Sequence, residues 1–211
     1  MYIKIEKNDK RYGYYAIKNI PKDTTILVEK AAVDLYNEPK YYEMFQILYK
    51  IFNNKKLKSK FDHLLPRDTK DNKLITSEMI RNDLETLDEI PEIRNYLLKL
   101  DPEELQLYCL KYLRNGFGNQ EPIILLKGAM FNHSCRPNVV FIQKGNVMHF
   151  VTTRDIAKGE ELYDSYVDIE LPKKDRQKRL LEQYGFICNC DRCTSNHKKN
   201  INQFEQHLKR K

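Results

Sequence analysis

Asn132-His133-Ser134-Cys135-Arg136-Pro137-Asn138 fits neither a helical nor a strand pattern, and its flanks make it the hinge of the reading. An apolar run from Ile123 to Phe131 leads into it. Beyond it, Val139-Val140-Phe141-Ile142 and Val147-Met148-His149-Phe150-Val151 face each other across Gly145-Asn146, the pattern of a β-hairpin. Within the heptad Asn132 can donate and accept, His133 offers ring and backbone groups, and Pro137 stiffens the exit. Such a loop suits a polar ligand, although the same residues also fit an ordinary turn.

Toward the C-terminus, Cys188, Cys190 and Cys193 crowd behind a helical stretch that Pro172 opens and Gly185 closes. Three thiolates this near in sequence can face one ion, and tetrahedral zinc asks for a fourth ligand. His197 lies four residues on and Cys135 about fifty residues back. The first choice makes a self-contained knuckle; the second clamps the C-terminus to the heptad. Packing the three thiols as plain core is the poorer alternative, because Asn189, Asp191 and Arg192 are interleaved with them.

Tyr163, Tyr166 and Tyr184 precede the cysteines, and Phe186 stands beside them. Any one of these tyrosines reads as half-buried core. As a group they offer more: aromatic faces attract an ammonium or a sulfonium, and a phenol can orient a reacting amine, a combination suited to chemistry on lysine.

The whole chain of 211 residues carries 37 Lys and Arg against 30 Asp and Glu, a net charge of +7. With 32% of residues charged, a membrane bundle is excluded, and no stretch approaches the ~18 apolar residues of a spanning helix. Fourteen Tyr and nine Phe exclude a disordered polyampholyte. At ~150 residues per domain, one domain with a sizeable insertion is expected. The first ten residues lack the apolar core of a secretory signal, so the expectation is an intracellular chain, nuclear and/or cytoplasmic. Five cysteines, one of them the isolated Cys109, form no disulfide ladder. The positive balance favours acidic partners such as nucleic acid, but charge of both signs is spread along the chain.

Residues 2–29 read as an N-terminal β meander with turns at Gly13 and at Pro21 to Asp23. From about Lys40 to Asn119 the apolar spacing becomes helical, most clearly over 41–52, 93–100 and 103–113. Asp101-Pro102-Glu103-Glu104 is a helix start and Asn115-Gly116 the matching stop. Residues 53–60, rich in lysine, read as a solvated basic connector between the first helices.

Three motifs in order resemble the SET-domain protein lysine methyltransferases: the heptad 132–138; Arg154-Asp155-Ile156 with Gly159-Glu160-Glu161-Leu162 and Ser165-Tyr166; and Tyr184-x-Phe186-x-Cys188-x-Cys190-x-x-Cys193. Arg11-Tyr12-Gly13-Tyr14-Tyr15-Ala16, Ile20-Pro21 and Glu29 resemble that family's opening glycine turn and strands. The nearest branch is the one in which SET is split by a MYND zinc finger. Here only Gly13 remains of the usual two glycines and Tyr12 holds the basic position. No Cys lies between Glu29 and Cys109, so the finger is missing.

The resemblance implies an α+β chain: a mainly β SET fold with a C-terminal pseudoknot, a helical insertion in the middle and a zinc-binding post-SET segment. Its divisions are 1–30 and 121–184 for the SET core, 31–120 for the insertion, 185–195 for the zinc segment and 196–211 for a basic tail. It selects Cys135 to join Cys188, Cys190 and Cys193 on one structural zinc ion. It places S-adenosylmethionine against Tyr12, Gly13, Tyr14, Asn132, His133, Tyr166 and Phe186. Tyr166 and Tyr184 become the catalytic pair, transferring methyl to a lysine of a histone or another protein. A monomer is expected. The alternative is an inactive SET scaffold that binds chromatin or protein through a zinc-stabilised surface; a nucleic-acid-binding zinc protein is a third reading.

Overall fold

A computed structural model describes residues 1–7, 12–70, 74–118 and 122–195. Among the described residues ten strands form three small sheets, and five helices are inserted between the fourth and fifth strands. Among the described residues no helix is long and apolar enough to cross a membrane.

β1 (Ile3–Lys7) and β2 (Tyr12–Ala16) pair antiparallel, and β10 (Glu161–Asp164) lies on the other side of β2. β7 (Asn132–His133) then adds parallel to β10, with Tyr163 opposite Asn132 and Asp164 opposite His133. This sheet sets the first half of the heptad beside the Gly-Glu-Glu-Leu motif. The expected meander is corrected here: β3 (Thr25–Lys30) leaves its neighbours and pairs with β9 (Val147–Thr152). β9 alternates half-buried and buried residues, so Met148, Phe150 and Thr152 face inward and give β3 a core to join.

The hairpin expected after the heptad is present as β8 (Val139–Lys144) and β9, in register from Val139–Thr152 to Lys144–Val147. Gly145 at φ 59° supplies the left-handed backbone that its two-residue turn requires. Gly13, by contrast, is no turn. It sits inside β2 with ordinary backbone, and what it provides is room: a Cβ there would lie 2.5 Å from Asn132 Nδ2 and 2.7 Å from Glu161 Oε1.

The third sheet frames the insertion, with β6 (Ile123–Ile124) between β4 (Val33–Asp34) and β5 (Gly116–Phe117). Between β4 and β5 run α1 (Glu43–Phe52), α2 (Lys55–Phe61), α3 (Ser77–Glu85), α4 (Pro91–Leu97) and α5 (Pro102–Asn115). α1 buries Phe45, Leu48 and Phe52 on one stripe and Ile47 and Ile51 on the next, each worth ~1.5–3 kcal/mol out of water. α5 begins as its sequence says: Asp101 accepts from the Glu104 N–H at 2.8 Å and Pro102 occupies the first turn. It stops at Gly116, whose extended backbone (φ −72°, ψ 136°) carries the chain directly into β5.

The lysine-rich segment after α1 is a helix, not a connector. Asn54 caps α2 by accepting from the Leu57 N–H at 3.0 Å, and Phe61 at its far end is fully buried. One cap and one apolar anchor outweigh a run of lysines that needs only solvent on the opposite face. The helices share one apolar core; the first two sheets share another, centred on Phe131, Phe150 and Leu162. Cys109 belongs to the first, fully buried, and burial drives its thiol pKa up, as for an inert core cysteine.

A buried carboxylate joins the halves. Glu29 at the end of β3 accepts from the N–H groups of Leu126, Lys127 and Gly128, at 2.6–3.1 Å. It thereby fixes the path from β6 through a short 3-10 turn (Gly128–Met130) to the heptad. The apolar run before the heptad is therefore broken in two, not continuous.

Candidate active site and metal centre

The heptad is locked in place by its own last residue. Asn138 donates its amide to the Glu161 carbonyl at 2.9 Å, accepts from the Tyr163 N–H at 2.7 Å and donates its backbone N–H to the Tyr163 carbonyl at 3.1 Å. Ser134 N–H donates to the Asp164 carbonyl at 2.9 Å. With β7 paired to β10, the turn 134–138 has satisfied backbone at both ends and only its cysteine and arginine to offer elsewhere.

Asn132 presents its amide between β2 and β10, donating to the Tyr12 carbonyl at 2.9 Å and to Glu161 Oε1 at 2.8 Å. Glu161 also accepts from the phenols of Tyr15, at 3.0 Å, and Tyr163, at 2.6 Å. The ring of Tyr12 is exposed beside this network, whereas Tyr14 is buried against Phe131, ring centroids 4.6 Å apart. Burial, with the Glu29 charge adding, pushes the Tyr14 phenol up to about 12. Its side chain thus belongs to the core, and only its backbone, like that of Gly13, is left for a ligand.

His133 uses both ring nitrogens. Nδ1 accepts from the Tyr166 N–H at 3.0 Å, which places the ring proton on Nε2, and Nε2 lies 3.3 Å from Cys135 Sγ. The ring therefore links the aromatic cluster to the cysteines, and its backbone is what remains for a cofactor. Around it, Tyr166 stands at 5.3 Å and Phe186 at 5.9 Å between ring centroids, and Tyr166 packs on Tyr184 at 4.8 Å. The Tyr166 hydroxyl donates to the Phe131 carbonyl at 2.6 Å, the residue before Asn132. Tyr184, at the end of α6 (Lys173–Tyr184), is pushed up to about 12 by burial, with the nearby Asp164 carboxylate adding. It is a neutral phenol at any physiological pH. Gly185 closes α6 at φ 76°, turning the chain so that Phe186 comes back against His133.

The four candidate metal ligands converge. The sulfurs of Cys135, Cys188, Cys190 and Cys193 all lie within 4.8 Å of one another, with Cys135 at 4.0 Å from Cys188 and 3.5 Å from Cys193. A zinc ion with ~2.3 Å bonds to four sulfurs sets them ~3.8 Å apart, so this donor set fits tetrahedral zinc in number, chemistry and spacing. Cys135 is drawn below the ordinary thiol range by its hydrogen bond with the Cys188 thiol, and Arg176 adds to that pull against the cost of burial. Arg192 donates to the Cys135 carbonyl at 3.0 Å and Arg136 pairs with Asp191 at 2.8 Å, so the cysteine segment is fastened to the heptad from outside as well. These are the contacts that a pseudoknot of the two segments requires. His197 lies outside the described residues, as does Arg11.

Tyr12, Gly13, Tyr14, Asn132, His133, Tyr166, Tyr184, Phe186 and the four cysteines thus form one continuous patch. Several residues that sequence reasoning left without a role belong to it too: Asn138, Glu161, the fully buried Asp164 and Arg176. Arg176 had a signal, since it stands four residues before Leu180 and eight before Tyr184 on the inward stripe of α6.

A family model for the SET domain matches residues 11–167. The SET domain-containing protein L678 of Acanthamoeba polyphaga mimivirus is 38% identical over 200 residues, 90% of this chain and 76% of the relative. The SET domain and MYND-type zinc finger protein 6 of Schizosaccharomyces pombe is 52% identical over 66 residues, and human N-lysine methyltransferase SMYD2 is 41% identical over 70. Those two stretches cover 31% and 33% of this chain but only 14% and 16% of the relatives. Among solved structures, the SET domain of LSMT bound to methyllysine and AdoHcy superposes with a TM-score of 0.66 at 16% identity, over 90% of this chain and 53% of that one. LSMT bound to AdoMet gives 0.65 at 15% identity, over 90% of this chain and 52% of that one. The shared fold and the match of residues 11–167 establish that this chain belongs to the SET-domain family.

Proposed function

We propose that this chain is an S-adenosylmethionine-dependent protein lysine N-methyltransferase. The observation that carries the reading is the cluster of Tyr166, Tyr184, Phe186 and His133, set between the Asn132 amide and the cysteines. The resemblance to N-lysine methyltransferase SMYD2, and to LSMT structures holding AdoMet or AdoHcy, supports it.

S-adenosylmethionine, when bound, supplies an electrophilic methyl group on a sulfonium. Asn132, the backbone of Gly13 to Tyr14 and the backbone of His133 are assigned to its amino-acid end, and Phe186 with the exposed ring of Tyr12 to its flat faces. The donor set fits: an amide already oriented by two hydrogen bonds, a strand that approaches without a Cβ, and two aromatic rings, Phe186 partly buried and Tyr12 exposed.

A lysine ammonium, with a free pKa of ~10.4, has no lone pair to attack with and must first lose a proton, which goes to water. The Tyr166–Tyr184 pair serves this by keeping water from the amine, and desolvation favours the neutral form. Neither phenol acts as a base, Tyr184 being neutral far above physiological pH. Their contribution is orientation and avoided solvent reorganisation. The substrate is a lysine of a histone or another protein. The four cysteines hold one structural zinc that ties the heptad to the segment carrying Phe186.

Cofactor binding is the test. S-adenosylmethionine at 100 times its dissociation constant raises stability by ~2.7 kcal/mol and so raises Tm. A Tm that does not move across a cofactor titration contradicts the enzyme reading and leaves the inactive zinc scaffold.

A further inference from the structure

Arg176 is 3% exposed, and a buried guanidinium needs a reason. On its helix α6 the other buried residue is Leu180. One amino group donates to the Leu171 carbonyl. The helix sets this guanidinium beside the cysteines: Leu180, one turn on, packs with Cys135, Cys188 and Cys193, and Gln177, the next residue, exchanges two hydrogen bonds with the Cys188 backbone at 2.6 and 2.8 Å. Its charge acts on the Cys135 and Cys193 thiols. Nε has no partner among the described residues. A carboxylate is the usual companion of a buried arginine; here the companions are thiols.

Four thiolates around one divalent zinc leave a net charge of −2 in a site where Cys135, Cys188 and Cys193 are buried. Uncompensated charge of that size in a low dielectric is costly. His133 contributes one neutral N–H to Cys135. Arg136 and Arg192 lie nearby, but Arg136 is engaged with Asp191 and Arg192 donates to a carbonyl. Among the described residues it is Arg176 that brings a buried positive charge to the side of the cluster where α6 packs on the cysteines.

We infer that Arg176 is the counter-charge of the metal centre: a positioning residue that stabilises the tetrathiolate and holds α6, with Tyr184 at its end, against the heptad. The inference rests on the metal reading above. It assigns Arg176 to the zinc affinity of the site and not to substrate or cofactor. Outer partners of a metal site are typically worth ~10–100-fold in affinity.

The test is competition for zinc between a chromogenic chelator and the full chain, for wild type, Arg176→Gln and Arg176→Lys. Gln keeps a donor for the Leu171 carbonyl and loses the charge; Lys keeps the charge and loses the planar fork. The inference predicts that Arg176→Gln weakens zinc binding ~10–100-fold and that Arg176→Lys recovers a substantial part of the loss. In the cobalt-substituted protein, the sulfur-to-metal charge-transfer band of Arg176→Gln should move to longer wavelength, which a purely structural role does not require. Equal zinc affinity in wild type and Arg176→Gln, or a loss in Arg176→Lys as large as in Arg176→Gln, overturns it. If Arg176→Gln does not fold, Arg176→Lys decides: zinc held near wild-type affinity supports the counter-charge, and zinc lost overturns it. Wild type that takes up no zinc ends the metal reading itself, and the counter-charge with it.

Discussion

The imidazole of His133 accepts the backbone N–H of Tyr166 on Nδ1 and points Nε2 at the sulfur of Cys135, so one ring holds the aromatic cluster and the metal centre at a fixed separation. Two parts that look independent in sequence, a tyrosine after a strand and a cysteine in a turn, are thereby set by one side chain. Disturbing the cysteines should be felt at Tyr166.

Cys135→Ser is expected to abolish stoichiometric zinc and to lower Tm together, because one ligand joins segments about fifty residues apart. A chelator acting on wild type should reproduce both effects. His197→Ala should produce neither. Zinc content by elemental analysis beside a thermal melt checks all three; zinc lost from His197→Ala and kept by Cys135→Ser would move the fourth ligand.

Glu29→Gln should destabilise the fold by about 2–3 kcal/mol, since a charged acceptor of three backbone N–H groups is replaced by an amide that turns a donor toward one of them. The urea midpoint should fall accordingly. An unchanged midpoint would show that the 3-10 turn before the heptad does not depend on this carboxylate.

Asp164 is fully buried, one carboxylate oxygen has no partner among the described residues, and burial lifts its pKa well above the ordinary 3.8. A carboxyl whose folded pKa exceeds its unfolded pKa stabilises the fold at pH below both values and loses that advantage as pH rises through the unfolded value toward the folded one. Asp164→Asn cannot ionise. Wild type should therefore lose ground to Asp164→Asn as pH rises from 4 toward neutrality. A difference in unfolding free energy that stays constant over that range would mean the carboxyl is ionised in the fold.

Gly13→Ala forces a methyl to within 2.5 Å of the Asn132 amide and 2.7 Å of Glu161, so it should weaken S-adenosylmethionine binding while leaving zinc content unchanged. Calorimetric titration of the cofactor checks it, and wild-type affinity in the variant would place the cofactor away from the Asn132 amide.

The hairpin 139–152, the start of α5 and the run of α6 into Gly185 were legible because each is written locally, as alternation around Gly145-Asn146, as Asp101-Pro102, and as Pro172 with Gly185. The candidate site residues stood out as motifs. What local pattern does not contain is the choice of partner strand, so β3 read as the third strand of a meander although its partner, β9, comes more than a hundred residues later. α2 was hidden by lysines that hold no information about its buried side, which rests on Leu57 and Phe61. Gly13 read as a turn because close approach and positive φ demand the same residue. The roles of Asn138, Asp164 and Arg176 depend on contacts between segments distant in sequence, and one chain read in order does not juxtapose them.

The central claim is that Tyr166 aligns a lysine amine for methyl transfer. Its hydroxyl is anchored on the Phe131 carbonyl, so Tyr166→Phe removes one hydrogen bond worth ~1 kcal/mol and should still fold. The measurement is transfer of labelled methyl from S-adenosylmethionine to core histones and to a total protein extract, with lysine methylation read by mass spectrometry. The account predicts signal from wild type and a ~10²-fold loss in Tyr166→Phe, because the ring that orients the amine is no longer fixed on the Phe131 carbonyl. Equal transfer by the two proteins, or none from wild type that holds zinc and binds the cofactor, would contradict it.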